Sequence, residues 1–239
     1  HLEGVRAILA GAGLDEAALQ TPPDWPLDEQ ARLAMQAAGS GPTALAMNCS
    51  GKHAAMLATC VARGWDTASY LSADHPVQQE IKAVVAELTG EPVAAVGVDG
   101  CGAPLYAVSL TSLARAFASL AIASPGTPGW RLAEAMRAHP HWVSGTRRDE
   151  RALMAGVPGL IAKSGAEAVY AAALPDGRAA AVKIADGSQR ARPIVMAALL
   201  ARLGVTAPVI DDQITAPVYG GGRVVGHLRP SRLLLAEAA

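Results

Sequence analysis

The 239 residues are 51% hydrophobic but only 4% aromatic, alanine carrying most of the apolar content, which suits one large domain with its own core and is too much chain for a bare binding motif. The 20 basic and 21 acidic residues leave a net charge of −1, and the basic side chains are spread along the chain, so no field exists to hold a phosphate backbone and nucleic acid is excluded as a partner. No apolar stretch of about eighteen residues is free of glycine, proline or charge, which excludes a membrane partner through a spanning helix; Cys49, Cys60 and Cys101 are too few for a disulfide scaffold and point to a reducing, cytoplasmic setting.

Leu2, Val5, Ile8 and Leu9 predict a helix over 2–12 that ends at Gly11 or Gly13. A second helix is expected over 27–37, with Pro26 at its first turn and Gly39 after it. Segment 40–50 reads as a loop feeding a helix from Gly51 to Arg63, whose stripe of Met56, Leu57, Cys60 and Val61 stops at Gly64. Asp74-His75-Pro76 opens a further helix with Val77, Ile81, Val84, Val85 and Leu88 on one face, closed by Gly90.

Residues 93–98 predict a strand running into the turn Asp99-Gly100-Cys101-Gly102. Helical spacing resumes over 109–122 and 128–138, and His139 and His141 flank Pro140 in an expected loop. From Leu160 the period drops to two: Leu160–Gly165, Glu167–Leu174 and Arg178–Ile184 read as antiparallel strands, the last two joined by Pro175-Asp176-Gly177. A helix over 191–203, a solvated Asp211-Asp212 pair and, after Gly220-Gly221-Gly222, a strand Val224–Leu228 complete the pattern. The expected class is α/β, an antiparallel sheet flanked by helices, in a single domain over 1–239 with neither repeat nor linker.

Two segments concentrate reactive side chains. Cys49-Ser50-Gly51-Lys52-His53 places a thiol, a hydroxyl, an amine and an imidazole at a helix start, where the helix dipole disfavours an ammonium and favours a thiolate; the pairing suggests a lowered Lys52 pKa or a thiolate ligand. Asp99-Gly100-Cys101 adds a second thiol and a carboxylate on a turn. Cys49, Cys101, His53 and Lys52 could hold one soft divalent metal, although the Cys-x-x-Cys knuckle of structural zinc is missing. Lys163-Ser164-Gly165 before a strand pair has the form of the Lys-Ser/Thr-Gly element of penicillin-binding proteins and serine β-lactamases. Their Ser-x-x-Lys is absent: Cys49, Gln79, Leu160 and Ala180 stand three residues before the four lysines.

Asn48-Cys49-Ser50-Gly51-Lys52-His53-Ala54, Asp74-His75-Pro76-Val77-Gln78, Val98-Asp99-Gly100-Cys101-Gly102-Ala103-Pro104 and Ala162-Lys163-Ser164-Gly165-Ala166-Glu167 together resemble the rhizobial-type, thermolabile L-asparaginase family, the asparaginase II family. The resemblance runs over nearly the whole chain. It implies a serine β-lactamase-like fold, L-asparagine as substrate, hydrolysis to aspartate and ammonia, and a homodimer. It further implies zinc held by Cys49, Lys52 and Cys101, a substrate site lined by His53, Asp99 and Gly102, and Lys163 as the base-like partner of a serine, with Lys52 and Ser50 as further catalytic candidates. The family's catalytic serines lie upstream of the region that matches His1, so the 239-residue chain is expected to hold the binding half of the site and to turn over asparagine poorly by itself. Two rival readings are an acyl-serine hydrolase of another amide, on the strength of Lys163-Ser164-Gly165, and a non-catalytic zinc or amino-acid binding fragment.

Overall fold

A computed structural model of the chain describes residues 1–235. It falls into two compact units, residues 1–87 with 91–108, and residues 88–90 with the chain from Ser109 onward. No helix among the described residues is long and apolar enough to cross a membrane.

The first unit contains α1 (Leu2–Gly11), α2 (Glu29–Ala37), α3 (Ser50–Arg63), most of α4 (Pro76–Thr89), and the antiparallel pair β1 (Ala95–Val98) and β2 (Pro104–Ala107). Caps set the boundaries. Helix α2 starts at Glu29 because the Asp28 carboxylate accepts from the Ala31 N–H at 2.9 Å, which leaves Pro26 outside the helix. Helix α3 stops where Gly64 turns left-handed (φ 67°) and the Trp65 N–H reaches back to the Cys60 carbonyl at 2.8 Å. His75 begins α4: its Nδ1 accepts from the Val77 N–H, and its Nε2 donates to the Asp66 carbonyl. Between these elements lie Val5, Leu9, Leu57, Cys60, Tyr70, Val77 and Cys101, all buried in one cluster.

The second unit contains α5 (Leu110–Ala121), α6 (Pro128–Ala138), α7 (Pro140–Ser144), α8 (Asp149–Gly156), β3 (Ile161–Ser164), β4 (Val169–Ala173), β5 (Ala179–Lys183), α9 (Arg192–Arg202), α10 (Pro208–Gln213), the hairpin β6 (Ala216–Gly220) and β7 (Arg223–Leu228), and α11 (Arg232–Leu235). The expected loop around Pro140 is helical instead: with Pro140 at the first position, α7 runs on from it, and α8 follows. The Asp211-Asp212 pair is exposed, as expected, but it rides on α10.

Strands β3, β4 and β5 form an antiparallel sheet in that order, covered by helices on both faces, and the class is α/β. The strand period of two sorts the side chains. Ala162, Tyr170, Ala172, Ala180 and Val182 share a cluster with Leu153 and Met154 of α8 and Met196, Ala197 and Leu200 of α9. Ile161, Ala173 and Ala179 join Phe117, Leu120 and Ala121 of α5 and Ala133 of α6. Cross-strand pairing agrees with this division, since Ala172 faces Ala162 and Ala180 while Ala173 faces Ile161 and Ala179.

An acidic pair opens α8 inside this core. The Glu150 side chain is fully buried, and Arg148 Nε donates to its Oε1 at 3.1 Å. Arg192 pairs with Asp149, stands 3.6 Å from Glu150 Oε2 and lies over the Tyr170 ring at 5.0 Å. Burial and the neighbouring Glu150 push Asp149 from 3.8 up to about 6 in spite of Arg192. Burial acts against Glu150 as well, but hydrogen bonds from Ser164 and the Asp149 carboxyl hold it below its ordinary value. Below about pH 6 the pair thus keeps its charge on Glu150 and its proton on Asp149.

Replacing Cys60, which is fully buried, by alanine should lower unfolding free energy by about 1–2 kcal/mol in urea titrations through the cavity it leaves. Because the folded pKa of Asp149 is raised, its contribution to stability is complete below about pH 4 and lost as the pH rises through about 6. Asp149→Asn removes that loss, so the stability of the variant relative to wild type should climb by about 2 kcal/mol between pH 4 and pH 7.5. A pH-independent difference would show that Asp149 ionises normally.

Candidate active site

The turn between β1 and β2 is built to bring two side chains to the start of α3. The Asp99 N–H donates to the Ala103 carbonyl and the Gly102 N–H to the Asp99 carbonyl, each at 2.8 Å. The Gly100 N–H adds a 2.8 Å bond to Asp99 Oδ1. Gly102 sits at φ 87°, a left-handed backbone in which a side chain would be strained. This turn leaves Asp99 Oδ2 at 3.1 Å from Lys52 Nζ and 3.5 Å from Cys101 Sγ. Ligand atoms of Cys49, Asp99 and Cys101 all lie within 4.8 Å of one another.

Lysine in the first turn of a helix is opposed by the dipole by roughly 0.3–1 kcal/mol. Its ion pair with Asp99, the two side chains 45% and 28% exposed, returns about as much. Fold stability therefore gives no reason for a lysine here. The lowered Lys52 pKa suggested by the helix position is not what the structure shows. Burial does act to lower it, but the Cys49 and Cys101 sulfurs and the Asp99 carboxylate together hold Lys52 above the ordinary lysine value. Cys49 likewise is no thiolate in this setting: burial, helped by Cys101 and Asp99, pushes it up to about 11 against the pull of Lys52. The cluster thus rests as a Lys52–Asp99 ion pair beside the Cys49 thiol and the Cys101 sulfur, with Asp99 kept below its usual value by Lys52 against the effect of burial.

Ser50 and His53 are buried on the same first turn. His53 Nδ1 is 2.6 Å from the Tyr70 hydroxyl, which also accepts the Gln20 N–H at 3.1 Å. In the tautomer in which the Tyr70 hydroxyl donates to Nδ1, the ring proton sits on Nε2, which is buried and has no hydrogen-bond partner among the described residues. Burial and the Lys52 charge bring the His53 pKa down to about 4, so the ring is neutral at physiological pH. Tyr70 had no signal in the sequence, lying in the polar segment between Asp66 and His75.

Lys163 belongs to the second unit. On β3 its side chain is exposed and its Nζ donates to the Ser164 carbonyl. Ser164 points to the opposite, buried face, donating to Glu150 Oε1 at 2.5 Å and accepting from Arg148 Nη2 at 2.9 Å. Just beyond, Glu167 and Ala168 take left-handed φ values of 53° and 54°, at a cost of roughly 1–3 kcal/mol each. Lys183 Nζ clamps that bend by donating to the carbonyls of Glu167 and Ile184.

Two thiols and a carboxylate, with an amine beside them, form a donor set that suits a thiophilic divalent ion such as zinc. An ammonium next to a carboxylate is also complementary to a zwitterionic amino acid. No curated protein sequence matches the chain. The family model for L-asparaginase II matches residues 1–230. That match begins in α1, passes through the Cys49–His53 and Asp99–Cys101 segments and β3, and runs past the β6–β7 hairpin, so the chain belongs to the L-asparaginase II family.

Proposed function

We propose that this protein hydrolyses L-asparagine to L-aspartate and ammonia through an acyl-serine intermediate. The family match across residues 1–230 carries the reading, and the side chains around Lys52 supply its chemistry. Lys52 and Asp99 take opposite ends of the substrate, the ammonium meeting the α-carboxylate and the carboxylate meeting the α-amino group. His53, neutral and with Nε2–H unspent, donates a further hydrogen bond to the bound amino acid. When zinc is bound, Cys49, Cys101 and a Lys52 that has given up its proton would hold it, and the fixed positive charge of the metal would take the place of the ammonium beside the α-carboxylate.

In the hydrolytic step a serine oxygen attacks the side-chain amide carbon while Lys163, in its neutral form, takes the hydroxyl proton and passes it to the departing nitrogen. Ammonia leaves, and water then cleaves the ester to release aspartate. On this reading the serine belongs to a Ser-x-x-Lys that residues 1–239 do not contain. Lys163-Ser164-Gly165 on a strand, followed by β4, β5 and α9, supports a serine β-lactamase-like framework for the reaction. Three unpaired cysteines suit a reducing cytoplasm. A homodimer completes the reading, with exposed Val98 and Leu105 of the β1–β2 pair and Tyr219 and Val225 of the β6–β7 pair as apolar surface open to it.

Ammonia release should be seen with asparagine in preference to glutamine, without β-lactam turnover, and should be strong in an N-terminally extended chain carrying Ser-x-x-Lys and weak in residues 1–239 alone. Turnover of a β-lactam would favour the rival acyl-serine hydrolase; full activity of residues 1–239 would move the nucleophile to Ser50 or Cys49 with Lys52 as its base. Lys52→Ala should lower kcat/KM for asparagine at least about tenfold while Tm stays within about 2 °C, since its surface ion pair contributes little. Zinc measured by elemental analysis should approach one per chain and be lost in Cys49→Ser and Cys101→Ser; unchanged zinc in both variants would place the metal elsewhere.

A further inference from the structure

The acidic pair of α8 touches the Lys163 strand at one point, and that contact has a geometry of its own. Ser164 Oγ donates to Glu150 Oε1 at 2.5 Å, Arg148 Nη2 donates to Ser164 Oγ at 2.9 Å, and Arg148 Nε donates to the same Glu150 oxygen at 3.1 Å. Three side chains close a ring, and within it the hydroxyl proton has one direction, toward the carboxylate. Glu150 is wholly buried and Ser164 is 4% exposed, so water does not compete for these bonds.

We propose that Glu150 is a positioning residue for Lys163: with Arg148 it grips the Ser164 hydroxyl and so fixes the end of β3 with the lysine on the opposite, open face. The inference rests on the reading of Lys163 as the base. Strand β3 has four residues and, among the described residues, a neighbour on one side only, β4. Its side chains alternate, so any rotation or slip that freed Ser164 would carry Lys163 toward the interior. Immediately after the strand, Gly165 bonds to the Val169 carbonyl and the chain enters its two left-handed residues, a bend whose relaxation would pull on the strand end. Ladder hydrogen bonds to one neighbour resist that pull along the strand, and the Glu150–Ser164–Arg148 ring resists it across the strand. Stability alone does not account for the ring, because buried ionic groups are commonly replaced by apolar side chains of similar volume without loss. What the ions add is a fixed direction.

The chain has four lysines, Lys52, Lys82, Lys163 and Lys183, so reductive ¹³C-dimethylation gives four lysine NMR signals beside that of the N-terminal amine, each assigned by its Lys→Arg variant. The variants are Glu150→Gln, Ser164→Ala and Ser164→Thr, which restores the hydroxyl. In Glu150→Gln and Ser164→Ala the Lys163 signal should move while those of Lys52 and Lys82 stay. With unmodified N-terminally extended enzyme, kcat for asparagine should fall about tenfold or more and KM stay within about threefold. Ser164→Thr should recover both the signal and kcat. A lowered Tm with an unmoved Lys163 signal and unchanged kcat would overturn the proposal and leave the ring a purely structural element. Should Glu150→Gln fail to fold, Ser164→Ala, which deletes a single oxygen, decides the matter by the same two readouts. Lys163→Ala separates the underlying reading: if it keeps full kcat, Lys163 is not the base, the assigned role of Glu150 in catalysis falls with it, and the Lys163 signal alone reports whether Glu150 orients the side chain.

Discussion

Glu150 is a carboxylate with no access to water, and everything near it in the second unit is arranged to tolerate that. Desolvating such a group costs several kcal/mol unless partners replace the solvent. Arg148, Ser164 and Arg192 supply them, and below about pH 6 Asp149 keeps a proton so that only one negative charge must be compensated. Arg192, committed to this pair, begins α9 and lies on Tyr170 of the central strand. One buried charge thereby ties together α8, α9, β3 and β4. In the first unit the same rule acts at half strength: Lys52 and Asp99 are partly exposed, their pairing is nearly neutral for stability, and both are available to a ligand.

Much of this was readable in the sequence where one residue dictates its own backbone. Gly64 ends α3, Thr127 and Pro128 begin α6, and His75-Pro76 begins α4, each by a local hydrogen bond or a dihedral preference. The strand pair around Pro175-Asp176-Gly177 was legible for the same reason. Elements defined by a distant partner were not. Strand β2 opens with proline and exposes alternate residues, and β6 pairs with β7 across a register shift at Val218/Tyr219. Helices α7, α8 and α10 are too short to show a period.

The candidate site divides along the same line. Cys49, Lys52, His53, Asp99 and Cys101 could be picked out because reactive side chains crowd two short segments. Their protonation could not, since the helix position of Lys52 points one way and the Cys49 sulfur, with the Cys101 sulfur and Asp99 carboxylate delivered by a turn some fifty residues on, outweighs it. Glu150 looks like a solvent-facing residue in Arg147-Arg148-Asp149-Glu150-Arg151. Only the packing of α8 on β3 shows that this charge run turns inward.

The sheet of the second unit is lined by Ala162, Ala171, Ala172, Ala173 and Ala180, all buried. A methyl group has no rotamers to surrender, so these strands give up backbone freedom alone when they order. It also hides little apolar area per residue from water. Since apolar hydration dominates the heat capacity of unfolding, a sheet built this way contributes less to it per residue than one built of valine and leucine. A sheet of this kind flattens the dependence of stability on temperature relative to what the length of its chain alone would suggest.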